Sequence, residues 1–286
     1  MNLQYKIKNK RETVSLIKKY LLNIVLTAFA AITLLQPSTT LAATITEVIY
    51  PKHSQRSEFY SKVLELALQK TEAEYGEFEL KSYDKEASTE RLRHSLMVGQ
   101  DVTVLWSSSS KERDEKYLPV KVNLLKGLNR FRFIVIRSSD KARFDAVDNL
   151  TKLRAFTAGS GTYWSDTKVL FENDLPVVTT LNHDILKLLG ANRFDYVLRG
   201  AYEVWSELAS NEEKFTIFEK LLICYSGEYY FYLNKSNTLL AERLEKGINL
   251  ALADGSFDKL FFGVSDFKKG WDKIYNNRYH VVQLSK

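Results

Sequence analysis

The sequence predicts an α/β chain folded as two comparable lobes around a cleft. Three observations carry that reading. Strand-like and helix-like runs alternate from Thr44 onward, the alternation restarts after the polar stretch Ser138–Asp148, and no linker rich in proline, glycine or serine separates the two series. The composition agrees: 286 residues, 45% hydrophobic and 27% charged, suit a globular chain and exclude collagen-like, disordered and disulfide-stapled classes.

The first series opens with Thr44–Tyr50, where apolar and polar residues alternate until Pro51. Phe59, Val63, Leu66, Ala67 and Tyr75 then recur near helical spacing, and Gly76 stops the helix. A strand over Phe78–Tyr83, a helix over Arg91–Val98 and the run Val102–Trp106 complete a second β-α-β unit, implying parallel strands. Strands near Val120–Leu125 and Arg132–Arg137 lead into the polar stretch. The second series reads strand Arg154–Ala158, helix Thr162–Phe171, strand Val177–Thr180, helix His183–Leu189, strand Phe194–Leu198 and helix Tyr202–Leu208. Strand-like runs Leu221–Tyr225 and Tyr229–Leu233 flank Ser226-Gly227, and helical patterns follow over Leu239–Ala253 and Phe257–Tyr275. Two short crossings, near Arg137 and near Ser226-Gly227, give a hinged body: residues 43–137 with 227–286 as one lobe, and 138–226 as the other.

The formal charge of +6 invites a nucleic-acid reading, but its location argues otherwise. Residues 1–42 hold six basic side chains and one acid, so the remainder is nearly balanced. That N-terminal stretch has a basic segment ending at Lys19, an apolar run Leu21–Leu35 and the breaker Gln36-Pro37-Ser38 before Ala42-Ala43. It has the order of a secretory signal peptide cleaved after Ala42 or Ala43, and the apolar run is shorter than the roughly 20 residues of a membrane span. The expected location is periplasmic, with no nucleic-acid partner. The single cysteine, Cys224, lies in an apolar run and reads as a small buried hydrophobe.

Three strand-to-helix turns hold the candidate chemistry, because α/β sheets bind ligands beyond the carboxyl ends of their strands. In Trp106-Ser107-Ser108-Ser109-Ser110-Lys111-Glu112-Arg113, Ser109 and Glu112 have capping-box spacing, while the hydroxyls and the Arg113 guanidinium suit a carboxylate. Gly159-Ser160-Gly161-Thr162 lacks the third glycine of a dinucleotide fingerprint and the lysine of a P-loop. It reads either as a tight turn or as a nest of N–H groups for an anion. In Arg199-Gly200-Ala201-Tyr202-Glu203, Arg199 and Glu203 form either an exposed helical pair or a reader of a polar ligand. Tyr50, Trp106 and Tyr163 are aromatic candidates for ligand contact.

Taken in order, these turns resemble extracellular solute-binding proteins of family 3. The resemblance runs through Trp106–Arg113, Tyr117-Leu118-Pro119-Val120, Leu124–Leu128, Phe194-Asp195-Tyr196 with Arg199-Gly200, Tyr230–Asn234 and Asp254-Gly255-Ser256-Phe257. It implies the type 2 periplasmic binding protein fold, with two lobes, a double-strand hinge and a ligand held between them. It further implies that Arg113 clamps a ligand carboxylate and that Gly161-Thr162, with Tyr163 beside it, contributes from the second lobe. The aspartate that holds an α-ammonium group in polar amino-acid binders falls at Gly200, so an ordinary α-amino acid loses that partner unless Glu203 reaches in. Arg199 beside it favours an anion.

The functional expectation is therefore a monomeric solute-binding protein for a small polar or anionic, amino-acid-like metabolite, working with an ABC permease. The ligand-binding candidates are Tyr50, Trp106, Ser107, Ser108, Arg113, Gly161, Thr162, Tyr163, Arg199 and Glu203. A ligand sensor signalling to a membrane partner is the alternative, and a dehydratase-like enzyme using Glu203 or Glu58 is a further one. No cofactor, metal site or catalytic residue is expected: His53, His94, His183 and His280 show no metal-ligand spacing, and no Gly-x-Ser-x-Gly elbow occurs.

Overall fold

In a computed structural model of the chain, residues 45–52, 57–181 and 184–285 are described. The expected signal peptide, residues 1–42, and the histidines at 53 and 183 lie outside them. Among the described residues, no helix is long and apolar enough to cross a membrane.

The first sheet region starts with β1 (Thr46–Pro51) and β2 (Phe78–Tyr83), which pair in parallel around α1 (Ser57–Lys70) and the short α2 (Glu72–Tyr75). The periodic face of α1 buries Phe59, Val63, Leu64, Ala67 and Leu68, as its helical spacing requires. Next, α3 (Thr89–Val98) is capped by Ser88 and closed by Gly99, whose φ of 71° lies in the left-handed region that glycine adopts without strain. Strand β3 (Val104–Ser108) runs beside β1, the Thr103 N–H donating to Ile49 O at 2.9 Å. After α4 (Lys111–Lys116) and β4 (Leu118–Val120), the later strand β10 (Tyr229–Leu233) lies antiparallel between β3 and β4.

The second sheet has six strands in the order β11-β9-β5-β8-β6-β7. They are β5 (Phe131–Arg137), β6 (Ala158–Gly161), β7 (Val177–Thr180), β8 (Tyr196–Gly200), β9 (Phe215–Tyr225) and β11 (His280–Leu284). The connecting helices are α5 (Lys141–Phe144), α6 (Leu150–Leu153), α7 (Ser165–Glu172), α8 (Ile185–Gly190) and α9 (Val204–Ala209). One face of the sheet joins a core with Phe133, Val135 and Val197, and the other buries Ile134, Ile136 and Tyr196, so alternate residues of β5 serve opposite layers. Helices α10 (Thr238–Ala253), α11 (Ser256–Gly263) and α12 (Ser265–Tyr275) follow, with α10 packed on α1.

Several sequence expectations shift. Strands β1 and β2 pair in parallel as expected, but β10 is antiparallel to β3 and β4, and the six-stranded sheet is mixed, since β5 is antiparallel to both β8 and β9. Of the expected Val120–Leu125 run only Val120 is strand, at the end of β4, and the single helix expected from Phe257 divides at Gly263-Val264. The division lets Phe261 and Phe267 both reach Phe59, with ring centroids 6.2 and 4.9 Å away. Strand β5 lies wholly in the six-stranded sheet, so the chain passes between sheets before it, over residues 121–130, rather than near Arg137. It returns over residues 226–228, and β11 brings it back a third time by pairing with β9. Cys224 is buried as expected.

Candidate functional site

The serine turn after β3 is built by interlocking hydrogen bonds. Ser109 N–H donates to Glu228 O, and Glu228 N–H donates to Ser109 Oγ at 2.9 Å, which ties the end of β3 to the start of β10. The helix cap is therefore Ser110, whose Oγ accepts the Arg113 N–H at 3.2 Å; Ser109, the expected cap, is committed to β10. Glu112 pairs with Lys116 one helical turn on. This geometry turns the Arg113 guanidinium back to donate to Ser108 O.

Arg113 lines a cavity of about 140 Å³. Trp106, Ser107 and Leu105 from β3, Tyr229 and Tyr232 from β10, and Pro51 from β1 form one side. Thr89, Leu92, Arg93 and Leu96 from α3, with Tyr117, form the other. The wall is braced, because Tyr232 OH donates to Asp114 Oδ1 at 2.7 Å and Tyr117 OH donates to Arg93 O at 3.2 Å. Burial, and then the hydrogen bond to Asp114, push the Tyr232 phenol above its ordinary value, so it stays a neutral donor. Burial, and after it the Arg93 guanidinium, lower Arg113 below its ordinary value. A second hollow of about 320 Å³ shares Arg93, Arg113 and Tyr117, and opens toward Glu90, His94 and Glu112.

Trp106, Ser107 and Arg113 are thus brought together, with the Tyr50 ring 6.5 Å from Trp106. Trp106 stacks on Tyr60 at 4.8 Å, Tyr60 on Tyr229 at 5.6 Å, and Tyr202 approaches Tyr229 at 6.3 Å. Ser108 supplies a carbonyl to Arg113 rather than a cavity wall. Gly161, Thr162, Tyr163, Arg199 and Glu203 do not line this cavity.

The Gly-Ser-Gly segment is strand β6 itself, not a turn. Glycine is needed there for close approach: a Cβ on Gly159 would stand 2.3 Å from the Phe194 ring, and one on Gly161 would stand 2.5 Å from Trp164. The Thr162 N–H donates to Thr180 O, so a donor expected in an anion nest serves the turn beyond β6 and β7. Thr162 and Tyr163 are exposed, Tyr163 at 83%. Arg199 lies against Glu203 and Glu207 and sits 4.9 Å over the Trp164 ring. Glu203 Oε1 accepts the Gly200 N–H at 3.0 Å. A side chain at 200 would meet the Tyr202 ring at 2.6 Å and Glu203 Oε1 at 3.1 Å, so an aromatic ring and the Glu203 carboxylate share that place.

Sequence reasoning missed Arg93, Thr89, Tyr117, Tyr229 and Tyr232. The signals were faint ones: Thr89 and Arg93 are four apart on a helix, and Tyr229 and Tyr232 belong to a strand chosen for its apolar character. It also missed a buried cluster where the chain enters the six-stranded sheet. There Arg132 grips Asp166 through Nε and Nη2 at 3.1–3.2 Å and donates to Asn129 O at 2.7 Å. Tyr225 OH donates to the same carboxylate, and its ring lies 4.8 Å from the guanidinium. Among the described residues, no group of His, Cys, Asp and Glu side chains could hold a metal ion.

No family model matches the sequence, and no curated protein matches it. Solved structures do. The probable amino-acid ABC transporter extracellular-binding protein ytmK from Bacillus subtilis aligns with a TM-score of 0.59 at 15% identity, over 77% of this chain and 98% of that one. An ancestral arginine-binding protein bound to glutamine aligns at 0.57 and 15%, over 77% and 98%. The ligand-binding core of GluR0 from Nostoc punctiforme, in complex with L-glutamate, aligns at 0.52 and 16%, over 77% and 99%. The chain therefore has the two-lobed type 2 periplasmic binding protein fold.

Proposed function

We propose that this chain is an extracytoplasmic solute-binding protein that captures a small polar or anionic, amino-acid-like metabolite and hands it to an ABC-type importer. One observation carries the reading: on a fold shared with amino-acid-binding proteins, a half-open cavity presents guanidinium, hydroxyl and aromatic groups with no carboxylate among the described residues of its lining. Such a set recognises an anionic group by charge-assisted hydrogen bonds against an aromatic wall, and it binds without bond chemistry. The leader is removed after Ala42 or Ala43, which N-terminal sequencing of protein from the native envelope would read directly.

In this proposal the part of residues 43–137 and 227–286 that carries β3, α4 and β10 holds the ligand first, through Arg113, Trp106 and Ser107. The lobe of 138–226 closes over it with Thr162 and Tyr163. Bending is assigned to the β5–β9 pair, where the register shifts between Phe133 and Ile134 and leaves Glu219–Leu221 out of the ladder.

The test is a thermal-shift screen of the exported protein against amino acids, dicarboxylates and short peptides, followed by calorimetry. A ligand that binds only the native state raises the melting temperature. Arg113→Ala removes one partner of a desolvated charge pair, a loss of about 2–5 kcal/mol, so affinity should fall at least about tenfold. Arg113→Lys should recover part of it, because lysine keeps the charge and loses the planar fork. If no compound class raises the melting temperature, the reading fails.

A further inference from the structure

We propose that the ligand is a small dianion and that Arg93 is the second anion-binding residue of the cavity, acting together with Arg113. The inference deepens the solute-binding reading above and rests on it.

Two guanidinium groups from different elements, Arg93 on α3 and Arg113 on α4, line the same 140 Å³ cavity, and no carboxylate lines it with them. Among the described residues neither forms a salt bridge, whereas the buried Arg132, Arg137 and Arg199 are paired with carboxylates and the buried Arg243 is held by Thr46, Thr71 and backbone carbonyls. Of the acids nearby, Glu112 pairs with Lys116 and Asp114 accepts from the Tyr232 hydroxyl, while Glu90 lines only the adjoining hollow and forms no salt bridge with either arginine among the described residues. Like charges in one partly desolvated space repel, and an anion held between them relieves that repulsion. The residual interaction shows in Arg113, whose charged form is disfavoured first by burial and then by Arg93.

The size and polarity of the site narrow the ligand class. A cavity of about 150 Å³ holds a benzene-sized guest, so 140 Å³ accommodates a single small head group or a short dicarboxylate, not a long peptide. Thr89 and Ser107 add hydroxyls that donate to oxyanions. No carboxylate lines the cavity among the described residues, and the one beside Gly200, Glu203, already accepts the Gly200 N–H and pairs with Arg199, with Tyr202 packed over the same place. Charge balance therefore favours two negative charges with no positive one. A four- or five-carbon dicarboxylate and a phosphoryl group share that chemistry.

Calorimetric titration of the exported protein with succinate, glutarate, inorganic phosphate, propionate and L-glutamine tests the proposal, using wild type, Arg93→Gln, Arg93→Lys and Arg113→Gln. At least one dianion should bind more tightly than propionate or glutamine. Arg93→Gln should lower dianion affinity at least about tenfold and leave propionate affinity within about twofold, while Arg93→Lys should retain part of the dianion affinity. A merely structural Arg93 would weaken all ligands alike. Preference for succinate or glutarate indicates two carboxylates bridging the pair, and preference for phosphate indicates one head group shared by both. Tight binding of glutamine or propionate without any dianion, or a dianion affinity unmoved by Arg93→Gln, overturns the proposal and leaves the solute-binding reading standing. If none of these probes binds but another class in the thermal-shift screen does, the dianion proposal falls alone; if no class does, both fall.

Discussion

Arginines occupy two regions of this molecule under opposite conditions. At the entry to the six-stranded sheet, Arg132 is buried, and each nitrogen of its guanidinium meets an acceptor: Asp166, Asn129 O or Phe131 O. In the cavity beside α3 and β3, Arg93 and Arg113 have no salt-bridge partner among the described residues, and Arg113 reaches only a backbone carbonyl. The first arrangement is what a permanent buried charge requires, since an unmatched ion in the interior is strongly destabilising. The second is tolerated because the groups keep access to solvent, and it leaves binding capacity unspent. The contrast teaches that pairing, more than position in a motif, separates matched from unmatched cations here.

Arg199 falls on the structural side. It sits on a strand end, where the sequence placed it as a ligand reader, yet it is matched by Glu203 and Glu207 and stacked on Trp164. Its charged form is strengthened by the two carboxylates against the opposing effect of burial.

Three substitutions probe the contrast. Asp166→Asn removes the charge that matches Arg132 while keeping the shape, and breaking a buried pair in this way should destabilise by about 3–5 kcal/mol. Denaturant unfolding would show it as a lower midpoint at an unchanged slope. An unaltered midpoint would mean that Arg132 has another partner and that the distinction between the regions is false. Arg199→Gln leaves two carboxylates facing each other and removes charged hydrogen bonds, so a loss of about 1.5–3 kcal/mol is expected. Ligand affinity measured by calorimetry should change far less than for Arg113→Ala; an equal drop would move Arg199 into the binding surface. Tyr225→Phe deletes one donor to Asp166 while Arg132 still holds that carboxylate by two nitrogens, so about 1 kcal/mol is expected from thermal unfolding. A loss as large as that for Asp166→Asn would show that the tyrosine, not the arginine, is the main partner.

Much of the fold was legible along the chain. The periodicity of Phe59, Val63 and Ala67 identifies the face of α1 that is buried, and Tyr229–Leu233 and Val177–Thr180 are strands at the residues read as strands. The Trp106–Arg113 turn places Trp106, Ser107 and Arg113 around one cavity because strand end, cap and first helical turn are local structures, decided within a few residues. Errors arose where a local reading met a distant neighbour. Gly159 and Gly161 look like a turn by composition, but Phe194 and Trp164 press against them and only glycine fits the strand. Ser109 has the spacing of a cap, but Glu228 claims it from across the sheet, and Ser110 caps instead.

The sequence by itself determined the α/β alternation, the buried periodicity and the serine-rich turn that presents Arg113. These depend on propensity, spacing and capping, which act over one or two turns of chain. Tertiary structure decided which charges are spent and which are free. Arg93 meets Arg113 only because α3 packs against β3; Arg132 meets Asp166 and Tyr225 only where three separate segments converge; and β11 joins the second sheet by pairing with β9, a strand far back along the chain. Electrostatic pairing depends on distance in space, and chain order does not encode that distance until the sheets have formed.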